Sequence, residues 1–269
     1  EMGLELVCTD DHPILTPGGE FRRLNEGLGA GDTVRLAAPS FGSQQQLVTY
    51  RPLPLAETTI EITEDFAEFL GLFMGDGSYH NGTISMACDA KDQDVVERAA
   101  HLMRQFWGEP TRRLTGTQKG CQELRVSRRA AKEPLEELGI IEERNLGGWK
   151  RRIHVPPYIC RSPKPVVARF LRGLFEADGH ARPLGNSMRF FSKDARFLAD
   201  VQLLLLMFGV PSWRNLKTRT INGKAFQGFE LGLRVDGCRV FASEIGFISA
   251  RKQASASYTI GKARHRNSK

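Results

Sequence analysis

Phe69-Leu70-Gly71-Leu72-Phe73-Met74-Gly75-Asp76-Gly77 returns 102 residues later as Leu171-Arg172-Gly173-Leu174-Phe175-Glu176-Ala177-Asp178-Gly179. Each stretch is an apolar, helix-like run that ends in a small residue, an aspartate and a glycine. Another small residue lies five positions before each aspartate, so the two small residues share one helix face. Two such faces can pack backbone against backbone, closer than ordinary helix packing allows. The sequence therefore predicts a tight helix pair that brings Asp76 and Asp178 together.

Two ionised carboxylates that lie close together repel each other and are stabilised by a cation between them. Hard divalent ions such as Mg²⁺ take oxygen ligands, and they often use only one or two protein carboxylates beside water and phosphate oxygens. The duplicated aspartates thus indicate a shared metal site with room for phosphate oxygens and water. For either copy alone, a core helix that ends in an Asp-Gly turn remains an alternative interpretation.

The repeat extends beyond the motif and sets the domain organisation. Lys150 and Lys252 are also 102 residues apart. Two further pairs of segments match, residues 102–108 with 204–209 and residues 137–140 with 244–247. A period of about a hundred residues indicates two similar half-domains rather than a solenoid.

These features resemble the single-chain LAGLIDADG homing endonucleases, and the resemblance covers residues 59 to about 260. It implies an α+β fold of two pseudo-symmetric αββαββα halves, residues 59–161 and 162–269, the second ending in a basic tail. Each half would lay an antiparallel sheet into the major groove of double-stranded DNA. The implied activity is that of a monomeric, metal-dependent DNA endonuclease, a hydrolase that cuts a long asymmetric site and leaves short 3′ overhangs.

The resemblance also implies the roles of individual residues. Asp76 and Asp178 would bind the catalytic Mg²⁺, for which Ca²⁺ or Mn²⁺ would substitute, together with the carbonyls of Gly75 and Ala177. Lys150 and Lys252 would be the basic residues beside the site. The chain departs from the motif at Met74, where the second copy has Glu176. That position is not the metal-binding one, so we expect the activity to be retained.

Alternation along the strands predicts the surface that faces DNA. In residues 123–127, Leu124 and Val126 point to one face while the polar residues between them point to the other. Polar strand side chains of this kind reach base edges and phosphates in the major groove. The candidate DNA-binding residues are Arg112, Arg125, Arg189, Asn215, Lys217, Arg219, Glu230 and Arg234. For each of them alone, an exposed strand position without a DNA contact remains an alternative.

The charge distribution points to a polyanionic partner. The 269-residue chain has a formal net charge of +7, with 41% hydrophobic and 26% charged residues, which is ordinary for a folded domain. Residues 164–269 carry 19 basic and 7 acidic side chains, whereas residues 61–163 are close to neutral. A basic surface releases counterions from nucleic acid and so supplies affinity without sequence information. A solvated basic face is the other reading of the same charges.

Cysteine usage and hydropathy indicate the compartment. The five cysteines are scattered, with no Cys-x-x-Cys pair, which argues against disulfides and structural zinc. The longest apolar run, residues 203–208, is too short to cross a bilayer, so no membrane partner is expected. We expect a cytoplasmic protein, or one associated with nucleoid or nuclear DNA.

The first 58 residues differ from the rest of the chain. Thr9-Asp10-Asp11-His12 and the later Gly31-Asp32 resemble the Thr-x-x-His block and the Gly-Asp strand of intein splicing domains. Thr9 and His12 would then match the residues that activate the first splice junction. Splicing also needs a nucleophile at the start, where Glu1 stands, and an apolar strand before the final Asn, where Asn267 follows a basic stretch. Residues 1–58 are therefore expected to be a small all-β remnant that no longer splices.

Two other functions remain open from the sequence. One is a LAGLIDADG protein that binds DNA or RNA without cutting it, as a regulator or a maturase. The other is a fragment of a self-splicing intein. The two retained aspartates favour cutting, and metal-dependent nicking of plasmid DNA would separate the first alternative from an endonuclease.

Overall fold

A computed structural model of the protein describes residues 3–50, 58–114, 120–143, 148–182, 187–221 and 224–257. The chain begins with two antiparallel hairpins. They are formed by β1 (Ile14–Leu15) with β2 (Phe21–Arg22), and by β3 (Leu47–Tyr50) with β4 (Thr58–Glu61). Thr9 and His12 lie in an exposed turn ahead of β1, in which the His12 amide donates to the Thr9 carbonyl at 3.2 Å.

Seven elements of the first half follow in the order helix, strand, strand, helix, strand, strand, helix. They are α1 (Glu64–Asp76), β5 (Gly77–His80), β6 (Thr83–Asp89), α2 (Gln93–Phe106), β7 (Thr111–Leu114), β8 (Cys121–Ser127) and α3 (Lys132–Glu137). A short hairpin of β9 (Ile141–Glu143) and β10 (Trp149–Arg151) and the four-residue helix α4 (Pro157–Cys160) lead to the second half.

The second half repeats that order of elements. They are α5 (Lys164–Asp178), β11 (Gly179–Ala181), β12 (Met188–Ser192), α6 (Ala195–Met207), β13 (Ser212–Ile221), β14 (Lys224–Leu233) and α7 (Val235–Glu244). Residues 250–257 form a further helix, α8. The αββαββα order expected from the sequence is thus present twice. Among the described residues, no helix combines the length and apolar character that crossing a membrane requires.

Helices α1 and α5 form the centre of the molecule, and their glycines explain how closely they pack. A Cβ on Gly71 would strike the Phe170 carbonyl and lie 2.7 Å from the backbone nitrogen of Leu174. A Cβ on Gly173 would strike the Glu68 carbonyl in the same way. Only glycine leaves room for this approach, so the predicted backbone-to-backbone contact of the two motif helices is confirmed.

The two motif helices begin differently. The Thr63 hydroxyl accepts a hydrogen bond from the Phe66 amide at 3.2 Å and caps α1, where Glu64 and Asp65 follow it. Ser162 does not cap the second motif helix. The Ser162 hydroxyl donates to the Tyr158 carbonyl at 2.9 Å, because α4 ends just before it, and α5 begins only at Lys164.

Each half contains a four-stranded antiparallel sheet. The strand orders are β5-β6-β8-β7 and β11-β12-β14-β13, which are the same pattern in both halves. One face of each sheet packs into the core through residues such as Met86, Leu124, Phe190 and Leu231. The other face, which we call the polar face, points away from the helices. Whether the halves are related by a two-fold axis, and whether residues 3–50 derive from a splicing domain, stay predictions.

Candidate active site

The two motif aspartates are the last residues of α1 and α5, where the buried helix pair reaches solvent. The carboxylate of Asp178 reaches toward the first helix, since a Cβ on Gly75 would lie 3.4 Å from its Oδ2 atom. The surrounding protein partly desolvates Asp76, and the negative charge of Asp178 adds to this effect, which together raise the pKa of Asp76 to about 6. Desolvation also raises the pKa of Asp178. Both carboxylates would therefore gain from a nearby cation.

The donor set fits a hard divalent cation that also binds its substrate. Neither Asp76 nor Asp178 forms a side-chain hydrogen bond within the described ranges, so their oxygens remain available as ligands. No group of three or more His, Cys, Asp or Glu side chains suited to a metal gathers in the part of the chain that the structure describes. Two carboxylates leave most coordination positions to water and phosphate oxygens, as is common for Mg²⁺.

One basic residue binds the end of each motif helix. In the first half, Arg151 Nη1 donates to the carbonyls of Phe73 at 3.0 Å, Gly77 at 2.9 Å and Gly75. In the second half, Lys252 Nζ donates to the carbonyls of Gly179 at 3.0 Å and Glu176. Both cations thus bind the carbonyl of the residue that follows the aspartate. They also lower the pKa of Asp76, though less than desolvation raises it.

The structure corrects the placement of Lys150. Lys150 forms an ion pair with Glu142 at 2.8 Å, on the far side of the β9–β10 hairpin, while its neighbour Arg151 faces the motif helix. Side chains alternate along β10, whereas Lys252 extends from helix α8, so an equal spacing in sequence does not give equal positions in space. The Gly75 carbonyl, expected as a metal ligand, accepts from Arg151. The role of the Ala177 carbonyl stays a prediction.

A matched pair of substitutions tests this correction. For the endonuclease activity that the sequence predicts, we expect Arg151→Gln to slow DNA cleavage by about 10²-fold, because it removes a preorganised positive charge beside the two aspartates. Lys150→Gln, which removes an exposed ion pair one residue away, should leave the rate within about twofold. Single-turnover cleavage under saturating enzyme measures both. A large loss in Lys150→Gln with none in Arg151→Gln would restore the assignment made from the repeat.

The polar face of the first sheet holds Arg125 but not Arg112. In the register of β7 with β8, Arg112 lies opposite the buried Leu124 and therefore points to the helix side. There its guanidinium forms a two-bonded ion pair with Glu97 of α2, the second bond being 2.7 Å. Arg113, one residue later, shares the polar face with Arg125. The geometry thus favours Arg113 over Arg112 as a basic residue of the polar face, while DNA binding by either residue stays a prediction.

The polar face of the second sheet carries most of the candidates that the sequence named. Asn215 and Lys217 alternate along β13 on this face, and the side chain of Arg219 lies outside the described residues. Arg189 lies on the neighbouring strand β12, and Arg234 lies 6.0 Å from the centre of the Trp213 ring.

Glu230 holds a different position from the one expected. Its carboxylate is buried beneath Arg189 at 3.1 Å and Lys217 at 3.7 Å. Glu230 therefore orients these two cations rather than presenting its own oxygens at the surface. Which of these residues bind DNA stays a prediction.

Sequence reasoning missed several residues close to the aspartate pair. Arg251 and Asp92 form an ion pair at 2.6 Å beside the site, and Glu176 accepts hydrogen bonds from the backbone that leads into α8. The visible signal was Glu176, which corresponds to Met74 in the first motif. An acid at a position that is apolar in the other copy needs a partner. The interaction of Asp92 with Arg251 joins residues 159 positions apart and left no pattern in the sequence.

Residues 165–246 match the family model of a LAGLIDADG-like domain, which takes in most of the second half including its motif helix. The fold is similar to that of the homing endonuclease I-DmoI, with a TM-score of 0.50, 17% identity, and coverage of 69% of this chain and 96% of the other. That likeness supports the fold expected from the sequence.

Two curated relatives are larger proteins. The chain is 25% identical over 255 residues, 94% of its length, to a replication factor C small subunit of Methanocaldococcus jannaschii. It is 29% identical over 208 residues, 76% of its length, to a probable translation initiation factor IF-2 of Thermococcus kodakarensis. The chain spans only 12% and 16% of the lengths of these two proteins.

Proposed function

We propose that the chain is a site-specific DNA endonuclease that cuts both strands with a divalent metal. The observation that carries the proposal is the pairing of Asp76 and Asp178 at the solvent-facing end of one helix pair, each beside a basic residue bound to the same helix end. A site of this composition suits phosphodiester hydrolysis, in which negative charge develops on phosphate oxygens. The fold, which is similar to that of a homing endonuclease, is compatible with the same reaction.

The charged residues of the site would have different roles in the proposed reaction. Asp76 and Asp178 would hold Mg²⁺, which would activate water and stabilise the leaving 3′ oxygen. Arg151 and Lys252 are fixed by backbone carbonyls, so their positive charge stands beside the phosphate without the cost of ordering a free side chain. In the metal-free protein the raised pKa of Asp76, about 6, means that a proton competes with the cation for this carboxylate below about pH 6.

The polar faces of the two sheets would bind the DNA on either side of this centre. Arg113 and Arg125 supply positive charge in the first half, and Arg189 and Lys217 supply it in the second. In the second half these cations are partly neutralised by Glu230, which limits how much the larger basic count there adds to affinity. Only the polar face of each sheet would bind DNA, because the side chains of Arg112 and Arg214 point to the opposite face, where the helices pack.

Salt dependence of binding tests this surface. Removing one cation that neutralises a DNA phosphate should lower the magnitude of the log–log salt slope by roughly 0.9. We expect Arg113→Gln and Arg125→Gln each to flatten the slope by up to this amount. Arg112→Gln, in the same sheet but on its helix side, should leave the slope unchanged. Titration of labelled DNA in Ca²⁺ at several salt concentrations gives the slopes, and an equal change in all three variants would contradict the assignment of faces.

We further propose that the chain derives from an intein. The two relatives described above bear unrelated names, one for replication and one for translation, and the matched segment is a minor part of each. A segment that occurs in both a replication protein and a translation factor is not specific to either activity. An insertion that moves between genes would account for its presence in both proteins. The Thr9–His12 turn and the short hairpins ahead of α1 are the part that a splicing domain would have left behind.

Cleavage-site selection tests the proposed function. The purified protein is incubated with a randomised DNA library in Mg²⁺, and the newly formed ends are sequenced. We expect a single long, asymmetric site cut on both strands, with no ends formed in EDTA. Enrichment of bound DNA without cut ends in Mg²⁺ or Mn²⁺ would overturn the proposal and favour a DNA-binding protein without nuclease activity.

A further inference from the structure

The start of helix α8 is held by carboxylates from two other elements. Glu176 of α5 accepts from the backbone amides of Ile248 at 2.7 Å and Ser249 at 2.9 Å. Asp94 of α2 accepts from the amide of Ala250 at 2.6 Å. The first amides of a helix have no partner inside it and are favoured by negative charge. Both motif halves therefore take part in fixing where α8 begins.

The Asp92 side chain does not cap its own helix, although its position is that of an N-cap. It stands at the N-cap of α2, where an aspartate normally accepts from its own helix, yet its side chain makes no such bond. Instead it receives two hydrogen bonds from Arg251 of α8, at 2.9 and 2.6 Å. Only 8% of the Asp92 side chain is exposed, so this two-bonded pair is shielded on the side of the carboxylate.

Lys252 follows Arg251 directly, and the two side chains leave the helix in different directions. Arg251 reaches back to the first half, while Lys252 reaches the end of α5 and binds the Gly179 carbonyl. A cavity of about 210 Å³ is lined by both side chains together with Asp76 and Asp92 among others. Fixing Arg251 therefore fixes the neighbour whose ammonium group stands beside the aspartates.

The first half holds its basic residue differently. Arg151 lies on β10, and its neighbours Lys150 and Arg152 both pair with Glu142 of β9, within the same hairpin. That arrangement is complete inside the first half. The placement of Lys252, by contrast, draws on Asp92 and Asp94, which belong to the first half.

We propose that Asp92, Asp94 and Arg251 are positioning residues that hold Lys252 in the second catalytic position, so that one of the two strand cuts depends on interactions between the halves. The inference rests on the proposed endonuclease function. It predicts an asymmetry that the duplicated motif alone does not: breaking the Asp92–Arg251 pair impairs the strand whose phosphate lies beside Lys252 and spares the strand beside Arg151.

Strand-resolved cleavage tests the positioning role. On the selected site, with each strand labelled separately, Asp92→Ala and Arg251→Gln should slow one strand by about 10- to 100-fold and leave the other within about twofold. The KM for DNA should stay unchanged, and nicked DNA of one defined strand should accumulate. Arg251→Lys, which retains the positive charge, should recover part of the rate. Glu109→Gln, which breaks the exposed Arg104–Glu109 pair at the other end of α2, is the matched control.

Equal slowing of both strands would assign Asp92 a general structural role and overturn the proposal, as would unchanged rates in both variants. If Asp92→Ala does not fold, Arg251→Gln and Arg251→Lys decide, because Arg251 is largely exposed. Hydrogen exchange of the amides in residues 250–257 is an independent readout. Faster exchange there in Asp92→Ala and Arg251→Gln supports the Asp92–Arg251 interaction, and this readout does not require cleavage. A parent protein that cuts no DNA would refute the proposed function alone. Unchanged exchange would refute the interaction itself.

Discussion

Asparagine in place of Asp76 or Asp178 is expected to lower double-strand cleavage by about 10³-fold or more while DNA binding in Ca²⁺ persists. The amide keeps the shape of the carboxylate but not the charge that holds a divalent cation, and removing a central electrostatic interaction has effects of this size. Binding persists because the polar faces of the sheets are unchanged. Each variant should fail on both strands, since the two carboxylates are adjacent and share one centre.

The same substitutions should not destabilise the metal-free protein. The folded-state pKa of Asp76 lies above its ordinary value, at about 6, chiefly through desolvation. The fold therefore disfavours the ionised form, and its stability falls as the pH rises from about 4 through 6. Asp76→Asn removes that penalty and should melt at an equal or higher temperature at pH 7.

The cleavage rate is measured under single-turnover conditions, the DNA affinity in Ca²⁺, and the melting temperature on the same samples. Asp236→Asn, which changes an exposed aspartate of α7, serves as the control and should cut normally. Parental cutting by either motif variant would remove the assigned aspartate from the catalytic site. Reduced cutting together with a lower melting temperature would show that the fold, rather than the chemistry, had been damaged.

Valine in place of Gly71 or Gly173 is expected to destabilise the protein by about 3 kcal/mol or more. A Cβ at Gly71 would lie 2.7 Å from the Leu174 nitrogen, and one at Gly173 would lie 2.9 Å from the Leu72 nitrogen. Both obstacles are backbone atoms, which cannot turn away as a flexible side chain does, so the helices themselves would have to separate. Separation would also move Asp76 away from Asp178 and reduce cleavage.

Urea unfolding measures the destabilisation, with Gly29→Ala as the control because a Cβ there meets no atom within 4 Å. We expect the midpoint of the Gly71 and Gly173 variants to fall well below that of the parent and the control to stay close to it. Parental midpoints in both valine variants would mean that the helices do not approach as closely as the structure shows.

The sequence predicted the central helix pair and the two sheets because their signals are long or duplicated. Two apolar runs with small residues in register specify a close helix contact, and alternation in β8 correctly assigned Leu124 and Val126 to the core. The fold similarity to a homing endonuclease agrees with that reading.

Short elements account for the errors. β10 has three residues and β7 has four, too few for alternation to show which side chain faces which way. The repeat therefore named Lys150, although Arg151 faces the motif helix, and Arg112 was named, although Arg113 lies on the polar face. In both cases the repeat or the strand was correct and the face was wrong by one residue, which reverses the direction of the side chain.

Interactions between distant segments could not be read from the sequence. The difference between Met74 and Glu176 was treated as harmless to activity, yet the Glu176 carboxylate fixes the backbone that carries Lys252. Likewise, nothing in the sequence links Asp92 to Arg251, which donates to its carboxylate. Such interactions join residues more than 70 positions apart, and a single sequence holds no periodicity that reveals them.

The measurement that tests the account most directly is the position of a divalent ion in crystals of the protein with its selected DNA. Mn²⁺ is soaked into the crystals and located by anomalous scattering, so that the result does not depend on activity. We expect a peak between Asp76 and Asp178, with carboxylate oxygens at about 2.1 Å and a phosphate oxygen completing the site. DNA bound across the two sheets without a peak at the aspartates, or with both carboxylates paired to Arg151 and Lys252 instead, would contradict the claim that this pair is a metal-dependent catalytic centre.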